Sequence, residues 1–80
     1  MKKPVRYLSA EGKKTDDFGV KFTNRFGENV YDAKTKTGPW AMMTETSWKL
    51  YGKGVLGIGR GQRYTRNKAG ELVLTEGGSQ

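Results

Sequence analysis

Gly38-Pro39-Trp40-Ala41-Met42-Met43-Thr44-Glu45-Thr46-Ser47-Trp48-Lys49-Leu50-Tyr51-Gly52-Lys53-Gly54-Val55-Leu56-Gly57-Ile58-Gly59-Arg60-Gly61-Gln62-Arg63-Tyr64 sets the architecture of this chain. It holds both tryptophans and every methionine except Met1. Large aromatic rings anchor cores, each burying about 150–250 Å². Pro39 fixes its own φ and biases Gly38 toward an extended backbone, so a turn ends there and Trp40–Met43 enters a buried element. Thr44 or Thr46 is positioned to cap a short helix through Tyr51, with Gly52 as a left-handed residue after its last turn. A helix this short does not survive alone and must dock on a sheet. The glycines that follow let the backbone turn sharply or lie close under Trp40 or Trp48.

Working outward, Gln62–Arg66 and Glu71–Thr75 flank Asn67-Lys68-Ala69-Gly70, the clearest hairpin in the chain. On the other side, Phe18, Val20 and Phe22 alternate with polar or small residues, the period of a half-buried strand, and Asn29–Ala33 reads as its returning partner. Residues 4–8 form a short strand, and the polar run Ser9–Asp17 a mobile loop. The expected fold is a small β-rich α+β domain spanning residues 1–75. It has antiparallel hairpins at about 18–33 and 61–75, one helix at about 44–51, and a tail at 76–80. The expected core is Phe18, Val20, Phe22, Val30, Trp40, Trp48, Leu50, Leu56, Ile58, Leu72 and Leu74.

Eighty residues make a single domain. The chain has no cysteine and no histidine, which excludes disulfides, thiolate metal sites and Ser-His-Asp or Cys-His nucleophiles. No apolar run reaches the ~20 residues of a membrane span, and no hydrophobic signal region follows the basic start. These features point to a soluble protein of the cytoplasm, with no cofactor and no metal.

The formal charge is +7, and it is unevenly spread. Between Thr46 and Gly70 lie Lys49, Lys53, Arg60, Arg63, Arg66 and Lys68, with no acid among them. Such a stretch calls for an anionic partner. Tyr51 sits between Lys49 and Lys53, and Tyr64 between Arg63 and Arg66, the interleaving that suits single-stranded nucleic acid: rings stack on bases and cations meet phosphates. The expected binding set is therefore Lys49, Tyr51, Lys53, Arg60, Arg63, Tyr64, Arg66 and Lys68. The alternative partner is the acidic surface of another protein.

Gly52-x-Gly54-x-x-Gly57 matches the dinucleotide-binding fingerprint in letters only, because a helix precedes it and a hairpin follows. A looser role remains: amides of the glycine loop could form an anion nest beside Lys53, Arg60 and Arg63. Asp16, Asp17, Asp32 and Glu45 are the acids nearest to a catalytic pattern, but their spacing favours neither a metal nor a shared proton. Solvation in loops, and helix N-terminal charge for Glu45, accounts for them.

Tyr31-Asp32-Ala33-Lys34-Thr35-Lys36-Thr37-Gly38-Pro39-Trp40-Ala41, then Tyr51-Gly52-Lys53-Gly54, then Gly59-Arg60-Gly61-Gln62-Arg63-Tyr64 resembles a group of short bacteriophage proteins. In that group a Cys-x-x-Cys pair, like half of a zinc ribbon, falls between the Trp-Ala and Tyr-Gly segments. Thr44 and Ser47 stand in about those places here, and two hydroxyls do not replace two thiolates on zinc. The resemblance implies a phage accessory protein made in the bacterial cytoplasm. It carries no activity to transfer; the basic, aromatic stretch gives the expected function, binding nucleic acid or, as the alternative, inhibiting a host protein through its acidic surface.

Overall fold

A computed structural model of the chain describes residues 5–78. Pro4 of the expected first strand and Ser79-Gln80 of the expected tail lie outside the described residues. Six elements follow one another: α1 (Leu8–Glu11), β1 (Asn29–Lys34), β2 (Trp40–Thr44), α2 (Glu45–Tyr51), β3 (Gly61–Arg66) and β4 (Leu72–Glu76). The strands form one antiparallel sheet in the order β2-β1-β3-β4. The β-rich α+β class expected from the sequence is what the chain adopts.

Central β1 buries consecutive residues, Val30 and Tyr31, because both sheet faces are covered. On one face Val30, Met42, Tyr64 and Leu72 pack with Ala10 and Phe22 from the N-terminal segment. On the other, Tyr31, Ala33 and Met43 pack with Trp48 of α2 and with Leu56. Trp48 lies flat on Tyr31, ring centroids 4.7 Å apart and planes 4° from parallel. Gly61 faces Ala33 across the β1–β3 pair; at φ +156° a Cβ there would lie 2.3 Å from the Ala33 Cβ, so only glycine lets the strands close.

The helix and the second hairpin fall where the sequence puts them. Thr44 is the cap, its Oγ1 accepting from the Ser47 N–H at 3.3 Å. Gly52 is not left-handed: its φ is −70°. It is needed because a Cβ would sit 2.1 Å from the Trp48 ring. In the second hairpin Asn67 Oδ1 accepts from the N–H groups of Ala69 and Glu71, and Gly70 takes φ +85°. Glu76 is the last residue of β4, and its carboxylate pairs with Arg63 at 3.2 Å. The fold therefore extends past the expected boundary at residue 75.

The first hairpin is different from expectation. β1 pairs with β2 on one side and β3 on the other, so no edge of it is left for residues 18–22. That segment instead folds back on Lys14–Asp16: the Phe22 N–H donates to the Lys14 carbonyl and the Asp16 N–H to the Val20 carbonyl. Phe22 is buried as its alternation demands, whereas Phe18 points outward. Trp40, Leu50 and Ile58, expected in the core, are 42%, 56% and 76% exposed.

The segment Ser9–Asp17, expected as a loop, holds most of α1 and is anchored at Asp16. Asp16 is 5% exposed and joins three segments. Its Oδ1 accepts from the Phe18 and Val20 N–H groups, both at 2.9 Å. Its Oδ2 accepts from the Thr44 N–H (2.8 Å), the Thr44 hydroxyl (2.9 Å) and the Ser47 hydroxyl (2.5 Å). Asp17 exchanges two bonds with Met42, its N–H to the carbonyl and its Oδ2 from the N–H. These acids occupy the outer edge of β2. At the outer edge of β4, the Tyr7 N–H donates to the Leu72 carbonyl and the Leu74 N–H to the Val5 carbonyl. One segment thus closes both sides of the sheet.

Burial pushes the Asp16 carboxyl up, but the bonds from Ser47, Thr44 and Val20 outweigh it and hold it below the ordinary carboxylate value. A carboxyl depressed on folding stabilises above its unfolded value of about 3.9, and that stability is lost as pH falls through the lower folded value. Asp16→Asn turns an amide donor toward buried donors and should cost about 3 kcal/mol or more at pH 7. In urea titrations the gap between wild type and variant should narrow below pH about 4; a gap unchanged down to pH about 2 would remove the ionised form from this account.

Candidate functional site

The basic, aromatic set expected from the sequence divides into two groups. Tyr64 is 8% exposed in the core, its ring 4.8 Å from that of Tyr7, and burial raises its hydroxyl pKa. Arg66 is 2% exposed. Its Nε and Nη2 donate to Glu28 Oε1 at 3.2 and 3.1 Å, and its Nη1 donates to the Gly70 carbonyl at 2.9 Å. Arg63, on the opposite sheet face from Tyr64, meets Glu76 and the Thr75 hydroxyl. Lys68 lies at the β3–β4 turn, 5.8 Å over the Phe26 ring. Adjacent strand residues point to opposite faces, so Arg63-Tyr64 could not share a surface. Tyr64 and Arg66 are therefore framework. Lys68 lies beyond the far end of β3 from Arg60, about 17 Å along five strand steps.

Lys49, Tyr51, Lys53 and Arg60 remain exposed. Two of them join a residue from elsewhere in the chain. The Lys34 N–H donates to the Arg60 carbonyl at 3.2 Å, and the Lys53 N–H donates to the Lys34 carbonyl at 3.0 Å. Lys34, Lys53 and Arg60, with Val55, line a cleft of about 320 Å³. Among the described residues none of these three cations forms an ion pair.

Next to it lies a second cleft of about 310 Å³, lined by Phe18, Thr35, Lys36, Thr37, Leu50 and Tyr51. The Tyr51 ring stacks on Phe18 at 4.4 Å and 22°. Trp40 is the cross-strand partner of Lys34 and also half-exposed. Lys34 and Lys36 stand in the segment Lys34–Pro39 that reads as a turn in sequence; only the pairing of the chain shows them beside Lys53 and Tyr51. The glycine loop is not an amide nest at Gly57, Arg60 or Gly61, whose N–H groups bond within the loop.

The acids are occupied by architecture. Glu11 and Glu71 pair with Arg6, Glu28 with Arg66 and Glu76 with Arg63. Glu45 stands in the first turn of α2 and accepts from the Tyr31 hydroxyl at 2.6 Å; burial first, and then this bond, push that phenol up to about 12. Asp32 is half-buried on the Tyr64 face, and burial followed by the Asp17 charge raises its carboxyl. Thr44 and Ser47 turn their hydroxyls to Asp16. Among the described residues no three acids gather as a metal-binding group. Comparison with protein-family models, curated proteins and solved structures gave no match.

Two measurements check this division. Arg66→Ala leaves Glu28 buried without its partner and should cost about 3–5 kcal/mol, while Lys53→Ala should change stability by no more than about 0.5 kcal/mol; equal costs in urea unfolding would overturn the assignment of framework and surface. Asp32→Asn should stabilise the fold at pH 7, because a raised carboxyl opposes folding once it ionises, and the gain should vanish below pH about 3.9.

Proposed function

We propose that this chain is a non-enzymatic binding module for single-stranded nucleic acid. The observation that carries this reading is the convergence of Lys34, Lys53 and Arg60 on one cleft, with no carboxylate partner among the described residues, beside exposed Tyr51 and Trp40. Cations without counter-charges attract phosphate, and exposed rings offer stacking surfaces that tolerate any base. The binding set becomes Lys34, Lys36, Trp40, Lys49, Tyr51, Lys53 and Arg60. The resemblance to phage proteins adds a setting, an accessory protein acting in the cytoplasm of an infected bacterium. No helix among the described residues is long and apolar enough to cross a membrane.

A second reading is an inhibitor that docks on an acidic host protein. Val55 and Ile58 favour it, since both are exposed on the loop that carries Arg60. Apolar side chains beside an arginine suit a protein interface.

Fluorescence anisotropy with labelled single- and double-stranded oligonucleotides separates the two. Neutralising three to four phosphates should give log K against log salt a slope of about −2 to −3 for single strands. Combining Lys34→Glu, Lys53→Glu and Arg60→Glu should abolish binding, while Lys68→Glu should leave most of it. No binding to any oligonucleotide at low salt would sink the first reading. A single host protein retained from nuclease-treated lysate would then support the second.

A further inference from the structure

The two clefts share a rib. The Lys36 N–H donates to the Tyr51 carbonyl at 2.8 Å, Thr35 bridges Gly52, and the Lys53 N–H donates to the Lys34 carbonyl. Each rung therefore serves one cleft: Lys34 and Lys53 line the cationic one, Lys36 and Tyr51 the aromatic one. Two residues of extended chain, about 7 Å, separate Tyr51 from Lys53. That is comparable to the reach from a base to its own phosphate.

The charge in the first cleft is also more than an internal linkage needs. A phosphodiester carries one negative charge, whereas a phosphate monoester carries about −1.5 to −2 at pH 7 and three acceptor oxygens. Lys34, Lys53 and Arg60 together present three positive charges to one space of about 320 Å³. The second cleft has apolar walls, Phe18, Leu50 and Tyr51, and a polar rim at Thr37 and Lys36. Its Thr35 hydroxyl donates to the Pro39 carbonyl at 2.7 Å and so accepts from the Thr37 hydroxyl at 3.2 Å, which leaves the Thr37 oxygen as an acceptor and Lys36 as a donor to meet a base edge.

Resting on the nucleic-acid reading, we infer that the paired clefts form one site for a terminally phosphorylated nucleotide unit. The monoester phosphate sits among Lys34, Lys53 and Arg60, and its base lies against Tyr51 and Leu50. The module on this account recognises strand ends or free nucleotides rather than the middle of a strand.

Calorimetry with tetrathymidylate carrying a 5′-phosphate, a 3′-phosphate or neither tests this directly. At least one phosphorylated form should bind about tenfold or more tightly than the unphosphorylated strand, as charge-assisted hydrogen bonds imply. Lys53→Gln with Arg60→Gln should erase that preference. Tyr51→Leu should weaken all the ligands together and keep it. Competition by thymidine monophosphate would assign the site to free nucleotides, and its failure to compete would assign it to strand ends; both carry the terminal-phosphate recognition. Equal affinity for phosphorylated and unphosphorylated tetrathymidylate, with longer strands still bound, would overturn this inference and leave the binding module standing. No binding to any of these strands, long or short, would overturn both.

Discussion

The Asp16 carboxylate is the joint on which the other parts are hung. It is buried, and its two oxygens receive five hydrogen bonds from Phe18, Val20, Thr44 and Ser47. Burying a charge is costly unless it is well satisfied, so this arrangement tolerates little displacement of any partner. It fixes the N-terminal segment to β2 and sets the first turn of α2. The direction of α2 then determines where Trp48 covers Tyr31 and where Tyr51, Gly52 and Lys53 emerge beside Lys34. A carboxylate at the start of α2 thereby positions the cationic cleft beyond its end.

Charge is sorted by role across the molecule. Arg6, Arg63 and Arg66 meet carboxylates, and their planar forks suit the geometry of such pairs. The surplus positive charge is carried mainly by lysines on the surface, with Arg60 the arginine that joins them at the cleft. A net charge of +7 is therefore a property of the exterior, while the buried charges are the Arg66–Glu28 pair and the hydrogen-bonded Asp16 carboxylate.

The parts legible in the sequence are those governed by local chemistry. The hairpin around Asn67–Gly70 and the helix capped by Thr44 need only nearby residues to form. Non-local pairing was hidden. The alternation of Phe18, Val20 and Phe22 is real, but alternation does not say which strand is a partner, and β1 was already flanked on both sides. The exposed positions of Trp40 and Leu50 follow from which face the layers above and below happen to cover. Tyr64 and Arg66 differ from expectation for a related reason: a strand alternates its side chains between faces, and Glu28, 38 residues away, claims Arg66. Lys34 carries no signal in the sequence because it neighbours Lys53 and Arg60 in space only.

The segment from Val5 to Phe22 guards two sides of the sheet that are three strands apart. Its contacts at β4 and at β2 belong to one continuous stretch of chain, so they are linked in their loss as well as in their formation. A fluctuation that peels the stretch away uncovers two rows of unpaired amides and carbonyls together, and with them Phe22 and Ala10 leave the core. Protection against self-association is thus shared between opposite sides of the molecule, and neither side is released alone.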